Sequence, residues 1–101
     1  MVEVRQTARF AHWLEDLRDL RARARVQAKI ERLIGGNPGD AKPVGSGVSE
    51  LRINYGPGYR VYFQQKGSTL IILLASGDKS TQGRDIDEAL MLARQIKEKS
   101  L

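Results

Sequence analysis

The sequence predicts an α+β domain: an N-terminal strand and a helical hairpin packed on a three- to four-stranded antiparallel sheet, with a C-terminal helix. Residues 49–75 form successive short runs, two of which alternate apolar and polar side chains as half-buried strands do. Residues 7–34 and 80–96 instead repeat apolar side chains at helical spacing. Because 101 residues support one modest core, we expect a single domain spanning residues 1–101.

The N-terminal third predicts a strand followed by two helices. Val2 to Gln6 alternates as a short edge strand, and Thr7 is a favourable N-cap for the first helix. The apolar stripe of that helix consists of Phe10, Trp13, Leu14 and Leu17. After a bend near Arg18, a second helix from about Leu20 to Ile34 places four apolar residues on one face: Ala22, Val26, Ile30 and Leu33. The remaining positions of this helix are rich in arginine and lysine, so we expect the helical hairpin to pack with its apolar side on the sheet.

Residues 35–47 predict a loop, because glycine, proline, asparagine and aspartate are dense there. Neither Gly45-Ser46-Gly47 nor Gly56-Pro57-Gly58 extends into a dinucleotide or phosphate-loop motif, so a nucleotide cradle is not supported.

The central runs predict three consecutive strands. In Ser49 to Tyr55 and in Tyr59 to Gln65 the side chains alternate about a tight turn at Gly56-Pro57-Gly58, which indicates a hairpin. Thr69 to Ala75 is apolar on both faces and is therefore expected to be an inner strand. The face away from the predicted core carries mainly polar side chains, and we expect it to be wet: Arg52, Asn54, Arg60, Tyr62 and Gln64. With Lys79 following the last strand, this face suits an anion.

The last helix is expected to begin with Ser80 or Thr81 as its N-cap and to lie beside the sheet. Its first turns contain Asp85, Asp87 and Glu88, which the helix dipole stabilises. Since the dipole explains these carboxylates, which with Asp78 are the only acidic cluster, we expect no metal site.

Composition narrows the function. There are 17 lysines and arginines against 12 acidic residues, a net charge of +5 and a pI near 9.9, which favours a polyanionic partner such as RNA or DNA. The absence of cysteine excludes disulfides and thiolate metal sites, and the single histidine, His12, excludes a two-histidine ribonuclease. No signal peptide is evident, and the longest apolar run, Leu70 to Ala75, is too short for a membrane helix. We therefore expect a cytoplasmic protein without a membrane association.

Ribonucleolytic cleavage by the RNA's own 2′-hydroxyl fits such a basic face, because it needs charge stabilisation and proton transfer but no metal or other cofactor. Tyrosines stack on bases and basic side chains bind phosphates. The candidate RNA-binding residues are Tyr59, Tyr62, Arg23 and Lys29. The same face is also compatible with binding alone.

Two blocks of the sequence resemble a known family. Gly56-Pro57-Gly58-Tyr59-Arg60-Val61-Tyr62-Phe63 and Gly77-Asp78-Lys79-Ser80-Thr81-Gln82 are similar to the HigB-type addiction-module killer proteins of the RelE/ParE toxin superfamily. The similarity covers nearly the whole chain. It implies a RelE-like fold and the toxin of a type II toxin-antitoxin system, neutralised by a cognate helix-turn-helix antitoxin. Such toxins typically cleave mRNA, often on the ribosome, and so inhibit translation.

The resemblance also implies the catalytic residues. RelE-like members carry basic residues on the two middle strands and after the last strand, and these positions correspond here to Arg52, Arg60 and Lys79. Some members add a tyrosine or histidine near the last helix for proton transfer, whereas no aromatic residue follows Phe63 in this chain. Two alternatives to an endoribonuclease remain: a non-catalytic toxin that inhibits a protein target such as DNA gyrase, and a basic RNA-binding domain.

Overall fold

A computed structural model describes residues 2–99, and the side chains of residues 2–97. In chain order the elements are β1 (Glu3–Gln6), α1 (Ala8–Asp16), α2 (Leu20–Ile34), β2 (Ala41–Gly45), β3 (Val48–Ile53), β4 (Tyr59–Lys66), β5 (Leu70–Gly77), a 3₁₀ turn (Lys79–Thr81) and α3 (Gln82–Lys99). The prediction of an α+β fold with a C-terminal helix is confirmed.

The sheet has five strands in the order β1-β5-β4-β3-β2, and it is mixed. β1 pairs with β5 in parallel, while the other neighbours are antiparallel. The expected antiparallel sheet of three to four strands is therefore wrong in strand number and in one direction. Alternation marks a strand and its buried face, but it carries no information about the direction of the neighbouring strand.

One strand was missed because it lies within the predicted loop. β2 contains Pro43, which lacks a backbone N–H and is normally confined to edge strands and bulges. The structure meets that restriction, since β2 is the outermost strand and its pairing with β3 is irregular between Pro43 and Gly45.

The two N-terminal helices cover one face of the sheet, as expected. Thr7 caps α1, its hydroxyl accepting from the backbone N–H of Phe10 at 3.0 Å, and Asp19 caps α2 in the same manner. Between these helices and the sheet lies an apolar cluster, to which α1, α2 and the sheet all contribute: Phe10, Val26, Ile30, Leu33, Leu51, Ile53, Val61, Phe63, Ile71 and Leu73. We call this side of the sheet the apolar face.

The opposite face, which was expected to be wet, is partly covered by α3. Ala89 and Ala93 pack there with strand residues that point away from the apolar face: Val48, Tyr62, Ile72, Leu74 and Ala75. We call this side the α3 face. The two small alanines of α3 are fully or almost fully buried.

The start of α3 is fixed by polar contacts. Asp78 caps the 3₁₀ turn that precedes α3, and its carboxylate accepts from the Ser80 N–H at 2.8 Å. Buried Asp85 then accepts from the Thr81 hydroxyl at 2.5 Å and from Arg9 of α1 at 3.2 Å. A Cβ at Gly77 would collide with this carboxylate, which explains the glycine.

None of the helices within residues 2–99 is long and apolar enough to cross a membrane.

Candidate functional site

Two arginines face each other across neighbouring strands. Arg52 of β3 and Arg60 of β4 are direct register partners, and strand alternation turns both side chains to the α3 face. Their exposure differs, because 36% of the Arg52 side chain is accessible but only 12% of Arg60. The expectation that Arg60 stands on a wet surface is therefore wrong, although both residues line the same opening.

A buried glutamate joins the two arginines. Glu50 lies two residues before Arg52 on the same face of β3 and is 0% exposed. One carboxylate oxygen, Oε1, is 3.3 Å from Arg52 Nε and 3.5 Å from Arg60 Nη1. The other, Oε2, accepts from the Gln82 side chain at 2.7 Å and from the Tyr62 hydroxyl at 3.2 Å. The four partners come from β3, β4 and the first residue of α3, so this cluster connects the helix to the arginine pair.

The cluster stabilises Glu50 in its charged form. Burial alone would raise the pKa of this carboxyl, but hydrogen bonds from Gln82 and Arg52, the charge of Arg60 and the Tyr62 hydroxyl outweigh burial. The net effect is a pKa below the ordinary value. Burial, followed by the negative charge of Glu50, raises the pKa of Tyr62 far above its usual range, so this phenol stays protonated and donates to the carboxylate.

The two arginines line a polar pocket of about 220 Å³. Its lining consists of Asp40, Arg52, Ile53, Asn54, Gly58 and Arg60. Asp40 belongs to the turn before β2, and its backbone carbonyl accepts from the N–H of Arg52 at 2.9 Å. The residues that line the pocket thus include two arginines, an asparagine and an exposed aspartate, which are residue types that can bind a phosphate and accept a proton.

Lys79 lies at the same end of the sheet. Gly77 is the register partner of Arg60, and Lys79 follows it by two residues in the 3₁₀ turn. The Cβ of Lys79 lies 3.5 Å from an ideal Cβ placed on Gly58, which lines the pocket and has a positive φ of +80°. The exposed lysine is thus adjacent to the pocket without lining it. Its catalytic role, like those of the two arginines, stays a prediction.

The two candidate tyrosines point in opposite directions from β4. Tyr62 is 0% exposed under α3, so the expectation that it stacks on RNA bases is wrong: the layer that covers it could not be read from alternation. Tyr59 is partly exposed and packs against Trp13 of α1, with ring centroids 5.9 Å apart. Burial, together with the negative charges of Asp19 and Asp78, raises the pKa of Tyr59.

Arg23 and Lys29 are not part of the arginine site. Both are on α2, which covers the apolar face, whereas Arg52 and Arg60 point to the α3 face. Arg23 donates to the backbone carbonyl of Glu15 at 2.8 Å, at the connection between the helices. Lys29 Nζ lies 4.0 Å from an ideal Cβ on Gly39. If these residues bind RNA, they form a second contact surface.

Within the part of the chain that the structure describes, no three His, Cys, Asp or Glu side chains are grouped so that they could hold a metal ion. Of the acidic residues near the start of α3, Asp78 caps the 3₁₀ turn and Asp85 bonds Thr81 and Arg9. Glu88 pairs with Arg9 at 2.7 Å.

Sequence reasoning missed Glu50, Gln82 and Asp40 as members or neighbours of the site. Glu50 had a usable signal, since alternation sets it on the same side as Arg52. Gln82 and Asp40 had none, because only the fold brings the start of α3 and the turn before β2 to β3.

Comparison with known proteins gives one informative relative. No protein-family model matches the chain, and no solved structure matches it significantly. A protein of Haemophilus influenzae, described as uncharacterized, is 47% identical over 95 residues, which is 94% of this chain and 96% of the relative. Identity at that level over almost the full length of both chains shows common descent, and the chain belongs to the same family as this Haemophilus protein.

Proposed function

We propose that this protein is the toxin of a type II toxin-antitoxin system, with a RelE-like fold, and that it inhibits translation by cleaving mRNA without a metal. The observation that carries the proposal is the Arg52–Arg60 pair, two cross-strand guanidiniums that share one pocket with Lys79 adjacent to it. A phosphate bound between them would be contacted by two groups that carry complementary charge and fork-like donors.

The proposed reaction uses the 2′-hydroxyl of the RNA as the nucleophile. Its oxygen attacks the adjacent phosphorus as its proton leaves, and the bond from phosphorus to the 5′-oxygen of the next nucleotide breaks. The products are a 2′,3′-cyclic phosphate and a 5′-hydroxyl, because the leaving 5′-oxygen takes up a proton from water. The arginines stabilise the additional negative charge of the pentacoordinate phosphate. Asp40, an exposed residue that lines the pocket, is proposed as the acceptor of the hydroxyl proton.

The proposed partners follow from the same assignment. The substrate is mRNA, often on the ribosome, and Tyr59, Arg23 and Lys29 are proposed as additional RNA contacts. The inhibitor is a cognate helix-turn-helix antitoxin, and both encounters take place in the cytoplasm. The net charge of +5 supports an acidic partner in each case.

The proposal is tested by incubating the purified protein with translating ribosomes and mapping mRNA 5′ ends by primer extension. New ends should appear with the protein and should persist in EDTA. In parallel, a gyrase supercoiling assay should show no inhibition. Intact mRNA together with lost supercoiling would support the protein-inhibitor alternative, and RNA binding without cleavage would support a binding domain.

Arg52→Ala is the sharpest variant for this assay, since the side chain is more exposed than that of Arg60. We expect cleavage to fall about a hundredfold, the scale of losing one donor to a transition-state charge. Arg5→Ala is the matched control. Arg5 also pairs with a glutamate two residues away, but it lies on β1, the strand at the opposite edge of the sheet from β2. Equal activity of the two variants would contradict the assignment of the pocket.

A further inference from the structure

The arginine pair presents an electrostatic problem that the fold has to solve. Like charges directly opposite each other on neighbouring strands are destabilising, and Arg52 and Arg60 are such a pair. Arg60 is also largely buried, which increases the cost of an uncompensated charge. Without a nearby anion, repulsion would drive the two guanidinium groups apart.

Glu50 supplies that anion. Its Oε1 contacts both guanidiniums, at 3.3 Å and 3.5 Å, while its Oε2 is fixed from behind by Gln82 and Tyr62. The two arginine contacts are longer than the usual 2.7–2.9 Å of a charge-assisted hydrogen bond. The carboxylate therefore attracts both groups without occupying all their donors. Among the residues that the structure describes, the two side chains have no other polar partner, and Arg60 Nε has none at all.

We propose that Glu50 is a positioning residue, which holds the Arg52 and Arg60 guanidiniums side by side so that both reach one phosphate during cleavage. This inference rests on the proposed function and extends it to a residue that substrate does not touch. Glu50 is fully buried and both of its oxygens are engaged, so it acts through the arginines. Its compensation of one positive charge also limits how tightly the pair binds ground-state phosphates.

The test variant is Glu50→Gln, which keeps the side-chain volume and removes the charge. The arginines should then separate, and turnover of RNA should fall about a hundredfold, because a transition-state contact is lost. KM should be unchanged or lower. A non-cleavable 2′-deoxy oligonucleotide should bind roughly two- to fivefold tighter, with a steeper salt dependence, since the pocket has lost a negative charge.

Glu3→Gln is the matched control. Glu3 pairs with Arg5 two residues further along β1, so the substitution removes the same charge from a comparable pair on an exposed edge strand. Its turnover should match that of the parent protein. A purely structural role for Glu50 predicts a different pattern, namely parallel loss of turnover and oligonucleotide binding, and that pattern would overturn the inference.

Gln82→Ala keeps the inference testable if Glu50→Gln does not fold. It removes the 2.7 Å bond to Oε2 and no charge, and Gln82 is only partly buried. Turnover should fall roughly tenfold with oligonucleotide binding within about twofold, because the carboxylate is less well fixed. Unchanged turnover in Gln82→Ala would contradict the positioning role.

The outcome also separates this inference from the proposed function. If the parent protein cleaves no RNA, the proposed function fails, while the oligonucleotide-binding measurements still report on Glu50. Tighter binding and a steeper salt dependence in Glu50→Gln, absent in Glu3→Gln, would then support the positioning of the pair. Identical binding by all three proteins would refute it.

Discussion

The two faces of the sheet bury different kinds of side chain. The apolar face buries aliphatic and aromatic side chains under α1 and α2. The α3 face buries apolar residues under α3 near its middle, but towards the pocket it buries Glu50 and the Tyr62 hydroxyl among charged and amide groups. The hydrophobic effect stabilises the fold but is non-directional, so it does not require one orientation of the buried groups. Hydrogen bonds in a buried polar cluster are directional and stabilise one arrangement of its members. The apolar face therefore contributes most of the stability, and the α3 face sets the geometry of the candidate site.

The largest expected effect on stability comes from a residue of β4 on the apolar face. Phe63 points to the apolar face and is 4% exposed. Phe63→Ala should lower the free energy of unfolding by about 3–5 kcal/mol, because it removes a large buried side chain and leaves a cavity. Urea denaturation measures the loss. At a temperature where the variant is folded, its turnover should equal that of the parent, and a large catalytic defect there would contradict the separation of roles.

Arg60→Ala should affect both properties. We expect turnover to fall about a hundredfold or more, since a guanidinium that faces the phosphate is lost. Stability should also fall, by about 1–3 kcal/mol, because Glu50 loses part of its compensation. Arg60→Lys restores a positive charge but not the planar fork, so it should recover more stability than turnover. Equal recovery of both quantities would argue against a specific role for the guanidinium.

Tyr62→Phe removes one hydroxyl beneath α3 and nothing else. The lost hydrogen bond to Glu50 should cost about 1 kcal/mol in unfolding measurements, which is far less than Phe63→Ala. Turnover should nevertheless decline severalfold, because the carboxylate that positions the arginines is less well held. A change in stability with no change in turnover would remove Tyr62 from the site.

The smallest expected effect is a pH dependence. The pKa of Glu50 is lowered in the folded protein, so its contribution to stability is fully present above the unfolded value of about 4.3 and is lost as the pH falls through the folded value. The stability difference between the parent and Glu50→Gln should therefore be constant near neutrality and shrink below about pH 4. Hydrogen bonds from Ser80 also lower the pKa of Asp78, which would add its own pH dependence to stability. Both proteins are therefore compared with Asp78→Asn present in each. A difference that grows on acidification would contradict the sign of the shift.

Alternation was sufficient for the hairpin but not for its surroundings. It identified β3 and β4, and it set Arg52 and Arg60 on one side, whereas the inner strand β5 was identified by a run that is apolar on both faces. It failed at β2, where Pro43 and the glycines favour a turn and pairing with β3 overrides that local preference. It also left Tyr62 on a wet face, because the period of two distinguishes the sides of a strand but not what covers them.

The sequence by itself determined the helices, every strand except β2, and the facing of the arginine pair, because these depend on side chains a few residues apart. Thr7 and Asp19 each start a helix through contacts within three residues, and the strand period sets the facing of Glu50, Arg52 and Arg60. The tertiary structure alone decided that β1 runs parallel to β5, that α3 covers the second face, and that Gln82 meets Glu50 across 32 positions. These contacts join segments far apart in the chain. Their selection depends on the summed burial and hydrogen bonding of the whole domain, which no local pattern encodes.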